Sequence, residues 1–168
     1  MKIRICGFEP ESIVDGEGIR FVVFTQGCPH GCEGCHNPQS HDFRAGTQYD
    51  TADIISMIRQ NPLIQGVTLS GGEPFCQSEA CLEIAEAVHQ MGKNVWCYTG
   101  YTIEELCREE EMKLLKEIDV LVDGKFVLAE KSYNLKFRGS SNQRVIDVKE
   151  SFKQRRPVWY NSAFKTSL

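Results

Sequence analysis

The alternation of apolar runs along the chain predicts an α/β fold built mainly on a parallel sheet. Short runs rich in Val, Ile and Phe alternate with amphipathic stretches of helical period, which is the pattern of βαβ units. The chain has 168 residues and holds roughly four such units, whereas a complete (β/α)8 barrel takes about 250 residues. The expected architecture is therefore an open partial (β/α) barrel or a short doubly wound sheet. No internal repeat or low-complexity segment interrupts it.

Ile3 and Ile5, alternating with Lys2 and Arg4, predict a short first strand. Glu9 to Gly18 reads as a loop, because Pro10, Asp15, Gly16 and Gly18 leave no apolar period. Ile19 to Thr25 is a buried strand, and residues 37–50 are polar and broken by Pro38 and Gly46. A helix is expected from Asp50 or Thr51, with Ile54, Ile55 and Ile58 turned inward and Asn61-Pro62 as its stop. Gly66 to Ser70 is the next strand. Cys81, Ile84, Val88 and Met91 then share one helical face, which Gly92 closes. Asn94 to Tyr98 is a strand. Thr102-x-x-Glu105 is a capping box, expected to open a helix with Ile103, Leu106, Cys107 and Leu114 inward. Ile118 to Val122 and Arg144 to Val148 complete the strands.

An apolar content of 41% and a charged content of 25% fit a soluble globular chain with a single core. No run approaches the roughly 18 apolar residues of a membrane span, and the amino terminus lacks the apolar core of a signal peptide. The expected location is the cytoplasm. There, eight cysteines point to metal ligation, catalysis or reduced core thiols rather than to disulfides. Residues 149–168 carry Lys149, Lys153, Arg155, Arg156 and Lys165 against Glu150, a local +4 in a chain of net charge −4. This divides the chain into a core domain, 1–148, and a basic C-terminal tail, 149–168, read as solvated. The acidic remainder does not indicate a nucleic-acid surface.

The stretch that carries chemistry is Gly27-Cys28-Pro29-His30-Gly31-Cys32-Glu33-Gly34-Cys35-His36-Asn37. It places three thiols in a Gly/Pro-punctuated loop directly after a strand. Three thiols cannot pair evenly, and a loop this short suits soft-metal ligation. An iron–sulfur cluster with one open iron and a zinc site completed by His30, His36 or a remote cysteine both remain open at this point. A second motif, Ser70-Gly71-Gly72-Glu73-Pro74, also follows a strand. In parallel α/β folds ligands bind at the carboxyl ends of strands, so both motifs are expected on one rim. The paired glycines allow a ligand close to the backbone, and Glu73 offers a carboxylate to an ammonium group.

Cys28-x3-Cys32-x2-Cys35 together with Ser70-Gly71-Gly72-Glu73-Pro74 resembles the radical S-adenosylmethionine family. The resemblance implies an open partial (β/α) barrel of that type. It implies a [4Fe–4S] cluster on Cys28, Cys32 and Cys35, with S-adenosylmethionine chelating the open iron. Gly34, Cys35 and His36 would lie along the bound cofactor, and Gly71, Gly72 and Glu73 at its methionine end. A branched side chain at Gly72 would then fill the methionine site while leaving the cluster in place.

Val14-Asp15-Gly16-Glu17-Gly18-Ile19-Arg20 looks like the Asp-Gly-Pro-Gly-x-Arg stretch of glycyl-radical-enzyme activases, with Glu17 where proline is usual. Trp96 to Tyr101, Leu121 to Phe126 and Arg138 to Arg144 resemble one branch, the activating proteins of anaerobic ribonucleoside-triphosphate reductases. Similarity runs from about residue 5 to 148. Two residues depart from common patterns: Gly34 precedes the last cysteine where an aromatic is frequent, and His36 follows it. No cysteine lies between Cys35 and Ser70, unlike activases that carry extra ferredoxin-like clusters.

The resemblance implies an oxidoreductase that cleaves S-adenosylmethionine reductively and raises a glycyl radical on anaerobic ribonucleoside-triphosphate reductase. Its electrons would come from reduced flavodoxin or ferredoxin. The cofactor carries the hard step, and no protein acid–base dyad is evident. Two alternatives remain within radical chemistry: an activase of a pyruvate formate-lyase type enzyme, or an enzyme acting on a small molecule. A non-catalytic electron-transfer or zinc-stabilised module is the reading from another class. Among other residues, Cys6, Cys81, Cys97 and Cys107 are expected as buried small hydrophobes, and Cys76 near the rim as a candidate redox thiol. His30, His41 and His89 are expected to be structural or solvated. Lys125 and Arg138 are candidates to meet a carboxylate.

Overall fold

The computed structural model describes residues 1–161. The strands are β1 (Lys2–Ser12), β2 (Arg20–Thr25), β3 (Thr47–Asp50), β4 (Gly66–Gly71), β5 (Asn94–Tyr98), β6 (Val120–Asp123) and β7 (Arg144–Asp147). The helices are α1 (Thr51–Gln60), α2 (Ser78–Gln90), α3 (Glu109–Lys116) and α4 (Val148–Gln154). The strands form one sheet in the order β3-β1-β2-β4-β5-β6-β7. The four central strands β2, β4, β5 and β6 run parallel. The flanking β1, β3 and β7 are antiparallel to their neighbours. The expected α/β class and open partial barrel are borne out.

The central strands are apolar runs because most of their residues are buried between packed layers. Ile54 and Ile58 of α1, Ile84 and Val88 of α2 and Leu114 of α3 pack with Ile3, Phe21, Leu69 and Val95 in the main core. On the other face Trp96, Val120, Val122 and Val145 pack with Tyr98, Phe137 and Tyr160. Trp96 there meets Phe137 and Tyr160 edge-on, at ring-centroid distances of 5.1 and 5.3 Å. The helices thus cover one side of the sheet, while the chain after β6 and the return past α4 cover part of the other.

Four local expectations are corrected. β1 runs on to Ser12, through the stretch expected as a loop. Its register against β2 shifts between Ile5 and Gly7 and again between Glu9 and Ser12, so Pro10 falls at an irregularity where no ladder N–H is needed. The polar segment 37–50 holds a 3-10 turn, Pro38–Ser40, and the edge strand β3. The Thr102–Glu105 capping box exists, but it opens only a 3-10 turn, Ile103–Glu105. The helix begins at Glu109, where Glu109, Glu110 and Glu111 suit the positive end of its dipole. That delay leaves Cys107 exposed rather than buried.

The sheet also continues into the segment expected as a tail. Asp147 caps α4 through the Glu150 amide at 2.8 Å, Val148 is fully buried, and the chain returns so that Trp159 bridges to Ile146. The side chains of Lys149, Lys153, Arg155 and Arg156 are exposed, as a solvated basic segment would have them. Lys165 and the rest of 162–168 lie outside the described residues. Among the described residues no helix is long and apolar enough to cross a membrane.

Candidate functional site

The carboxyl ends of β2, β4, β5 and β6 converge on one cleft. Thr25 pairs with Gly71 at the ends of β2 and β4, so the loops leaving these two strands start side by side. The cleft is lined by Cys28, His30, Cys32, Cys35 and His41 from the first loop and by Ser70, Gly71 and Gly72 from the second. Tyr98, Thr99, Gly100, Gly124, Phe126 and Gln143 complete its wall. The two motifs expected on one rim therefore share one cleft. Broader grooves lie to either side, one along Pro29, Phe43, Cys76 and Arg108 and one along Val14, His36, Lys131 and Phe137. Neither of them gathers the three loop thiols.

The cysteine loop is tied at its base and at its exit. The Gly27 amide donates to the Ser40 carbonyl at 2.8 Å and the Cys28 amide to that of His41 at 3.2 Å. The Cys35 amide donates to the Cys32 carbonyl at 3.2 Å, and the Asn37 amide points at the Cys35 sulfur at 3.4 Å. Gly27 has a φ of 95° with the Phe43 ring packed against its α-carbon, a place no side chain could share. Cys28, Cys32 and Cys35 are half-exposed free thiols. Burial pushes the Cys28 thiol up, against a lowering hydrogen bond from the His30 backbone. Among the described residues no three His, Cys, Asp or Glu side chains converge on a single metal ion. A cluster makes a looser demand, since each thiolate holds a separate iron.

The Gly71–Glu73 turn is clamped to the base of that loop. The Gly72 amide donates to the Thr25 carbonyl at 2.7 Å and the Glu73 amide to the Gly27 carbonyl at 2.8 Å. The Glu73 side chain is fully buried. Its Oε1 accepts from the Phe75 amide at 3.1 Å and the Thr99 hydroxyl at 2.8 Å. Its Oε2 accepts from the Gly100 amide at 2.9 Å, again from Thr99 at 2.9 Å, and faces His30 Nε2 at 2.8 Å. Protein donors thus fill the carboxylate, and the free acceptor that the sequence suggests for an ammonium group is not there. His30, expected to be structural or solvated, is structural here, but its partner is not legible in the sequence. It sits in a polar loop with no apolar period, and its partner is 43 positions away.

Gly34 has a φ of 72°, and a β-carbon there would lie 2.9 Å from Leu128 Cδ1. Leu128 thus fills the space in which an aromatic before the last cysteine would sit. The His36 ring packs against Phe126 at 5.0 Å, with Gly139 against both. Arg138 does not offer its fork to the cleft. It donates to the Ser141 and Gln143 carbonyls at 2.8 and 2.6 Å and lies over the Trp159 ring. Gln143 in turn accepts from the Gly139 and Ser140 amides and donates to the Gly124 carbonyl. The 138–144 stretch is therefore a self-knitted loop closing one side of the cleft.

The Asp15–Arg20 stretch stands at the other end of the sheet, where Arg20, Gly66 and Asn94 start their strands. Arg20 is fully buried. It donates to Thr68 Oγ1 at 2.6 Å, the Val67 carbonyl at 2.7 Å, Asn94 Oδ1 at 2.8 Å and the Glu17 carbonyl at 3.0 Å. Burial pushes its pKa down to about 10, which still leaves it charged at neutral pH. This motif therefore organises the sheet rather than the cleft. Of the remaining cysteines, Cys81 and Cys97 are buried as expected, and Cys6 is half-buried. Cys76 is exposed beside the cleft, yet burial of its sulfur, helped by the charge of Glu73, pushes its thiol up to about 11. Such a thiol is a poor nucleophile and gives no support to a redox role.

A family model described as a 4Fe-4S single cluster domain matches residues 14–146. An anaerobic ribonucleoside-triphosphate reductase-activating protein of Haemophilus influenzae is 37% identical over 146 residues, covering 82% of this chain and 94% of the relative. Its namesake in Escherichia coli K12 is 37% identical over 147 residues, covering 82% and 94%. The one from Enterobacteria phage T4 is 35% identical over 145 residues, covering 81% and 88%. Among solved structures, QueE from Escherichia coli superposes with a TM-score of 0.51 at 16% identity, over 73% of this chain and 70% of that one. At that identity the likeness speaks for the fold.

Proposed function

We infer the function from one premise: the chain belongs to the family of anaerobic ribonucleoside-triphosphate reductase-activating proteins, with 37% identity across 82% of its length. It is a radical S-adenosylmethionine activase with a 4Fe-4S domain, and its target is the glycyl-radical subunit of anaerobic ribonucleoside-triphosphate reductase. The observation that carries the reading is the shared cleft: Cys28, Cys32 and Cys35 line it together with Gly71 and Gly72. Three partly exposed free thiols suit cluster irons, and soft sulfur donors select them. When bound, the cluster and S-adenosylmethionine would supply the one-electron reductive chemistry by which a glycyl radical is raised on the reductase.

The chain binds and orients. Cys28, Cys32 and Cys35 hold the cluster. Gly71 and Gly72 would offer their backbone in the cleft to the methionine end of the cofactor, and Gly34, Cys35 and His36 would lie along it, His36 from the adjoining groove. Glu73 belongs to this set as the buried brace of that backbone rather than as a direct contact. The half-covered face of the sheet admits a protein segment, which a closed barrel would not. A reduced flavodoxin or ferredoxin is the electron source. All eight cysteines are unpaired, in keeping with a reducing cytosol. The catalytic core is read as residues 1–148, and the described part of 149–168 docks on it through α4 and Trp159.

The test is anaerobic. The protein is reconstituted with iron and sulfide, reduced, and given S-adenosylmethionine with and without the anaerobic reductase. Expected are 5′-deoxyadenosine and a glycyl-radical EPR signal on the reductase that needs both this chain and the cofactor. Cofactor cleavage with a silent reductase would move the search to other substrates. Zinc without sulfide in the protein as isolated from anaerobic cells would end the reading.

A further inference from the structure

The cysteine loop is fastened at both ends by its backbone, but between the ends it has one tether. Gly31 and Gly34 take φ values of 59° and 72°, and the loop holds no helix or strand between Cys28 and Cys35. Among the described residues, His30 is the one side chain strictly between Cys28 and Cys35 that hydrogen-bonds outside the loop. The bond runs from Nε2 to Glu73 Oε2 at 2.8 Å, with side-chain exposures of 6% and 0%.

The surroundings leave the imidazole little freedom. Tyr101 packs against it edge-on, at a centroid distance of 4.5 Å. The Gly100 backbone lies close against it, so that a β-carbon there would come within 2.3 Å of the ring. The same Gly100 donates its amide to Glu73, beside the Thr99 hydroxyl. The Glu73 carboxylate thus joins the cysteine loop to the end of β5, while the Glu73 amide joins the turn after β4 to Gly27 at the loop's base. A hydrogen bond from a buried imidazole to a buried carboxylate is strong and directional.

We propose that His30 is a positioning residue: through Glu73 it keeps the three thiols in fixed register with the Gly71–Gly72 edge. It rests on the activase reading, because the register matters only if metal on the thiols and a ligand on that edge must meet. Losing the bond removes no thiol, so iron and sulfide still assemble. It frees the middle of the loop, so the cofactor then binds a loop that must first be ordered.

The experiment uses the full chain, reconstituted anaerobically as wild type, His30→Ala and His30→Gln. Iron and sulfide content, the dissociation constant for S-adenosylmethionine and the change it causes in the EPR spectrum of the reduced cluster are recorded. His30→Ala is expected to keep its cluster but bind the cofactor about 10–100-fold more weakly, the usual range for residues that orient metal ligands. Its EPR response should be diminished. His30→Gln, whose side-chain amide can donate to Glu73 in place of Nε2–H, should recover most of both. Unchanged affinity and spectrum in His30→Ala would overturn the proposal, and so would a glutamine variant no better than alanine. Should His30→Ala fail to assemble a cluster, the comparison of His30→Gln with wild type decides alone: near-wild-type affinity supports the latch, and a large loss overturns it. A wild-type protein that takes up no cluster or no cofactor would instead refute the activase reading.

Discussion

Gly72 is packed against the backbone of Gly27: a β-carbon added at Gly72 would lie 2.5 Å from the Gly27 carbonyl oxygen and 3.0 Å from its carbon. That oxygen is already the acceptor for the Glu73 amide, and Gly27 opens the cysteine loop. The glycine is therefore required by a backbone-to-backbone joint, beyond any room it leaves for a ligand. A side chain here meets rigid peptide rather than a flexible tip.

The first prediction reverses what the motif alone suggests. Gly72→Val should not spare the cluster while weakening the cofactor; it should disturb both. Gly72→Ala is expected to destabilise the metal-free protein by about 1–3 kcal/mol, the range for overpacking. Thermal melts of the metal-free variants and iron content after reconstitution check this. A Gly72→Val protein with a wild-type melt and full iron would return the glycine to a purely ligand-binding role.

Alanine in place of Cys28, Cys32 or Cys35 should each abolish assembly of the cluster, since each thiol is expected to hold its own iron. Cys76→Ala is the control: its sulfur lies beside the cleft, with its thiol pushed up to about 11. It should load iron and sulfide like the wild type. Loss of the cluster in Cys76→Ala, or its retention in any of the three loop variants, would redraw the ligand set.

What the sequence made legible was periodic or adjacent. β2 and β4 are apolar runs, α1 and α2 carry inward faces, and each motif follows its strand directly, so the shared rim could be read. What stayed hidden was non-local. His30 and Glu73 are 43 positions apart and nothing local marks either as the other's partner. β1 outlasts its visible alternation because Gly7 and Pro10 break the apolar period where its register shifts. The Thr102 box predicted a helix because capping chemistry fixes how a turn starts, not how long the helix persists. The docking of Tyr160 depends on Trp96 on the far face of the sheet, while Val148 of α4 joins the main core on the other, and no window around residue 150 contains either partner.

Arg20 tests whether the Asp15–Arg20 motif is structural. Its donors are spread over Thr68, Val67, Asn94 and Glu17, and a lysine ammonium cannot span that fork. Arg20→Lys is expected to cost roughly 2–4 kcal/mol, through buried carbonyls and hydroxyls left unpaired. Urea unfolding of the metal-free protein measures it. The folded fraction should still load iron, because the cysteine loop lies at the opposite end of β2. Unchanged stability with lost activation of the reductase would mean that the motif serves the partner instead.

The last prediction concerns acidity at a site far from the cleft. His89 on α2 contacts Glu117 through Nδ1 at 2.7 Å and Asp119 through Nε2 at 2.9 Å. Asp119 also accepts from Lys149 at 2.6 Å and from the Val95 amide at 2.8 Å. Burial alone would lower the imidazole pKa, but hydrogen bonds to Asp119 and Glu117 outweigh it and raise it. For Asp119, burial would raise the carboxyl, but Lys149, His89 and the Val95 amide together bring it below its ordinary value. The signs follow from linkage. A raised histidine contributes stability that is full below its unfolded value of about 6.5 and fades as pH rises through the folded value. A depressed aspartate contributes above about 3.9 and loses its contribution in acid. His89→Ala should therefore cost about 1 kcal/mol near pH 6, discounted for partial exposure, and distinctly less near pH 9. Denaturant midpoints of both proteins at the two pH values check the difference. An equal cost at both would assign the role of His89 to packing between α2 and the turn after α3, with its charge playing no part.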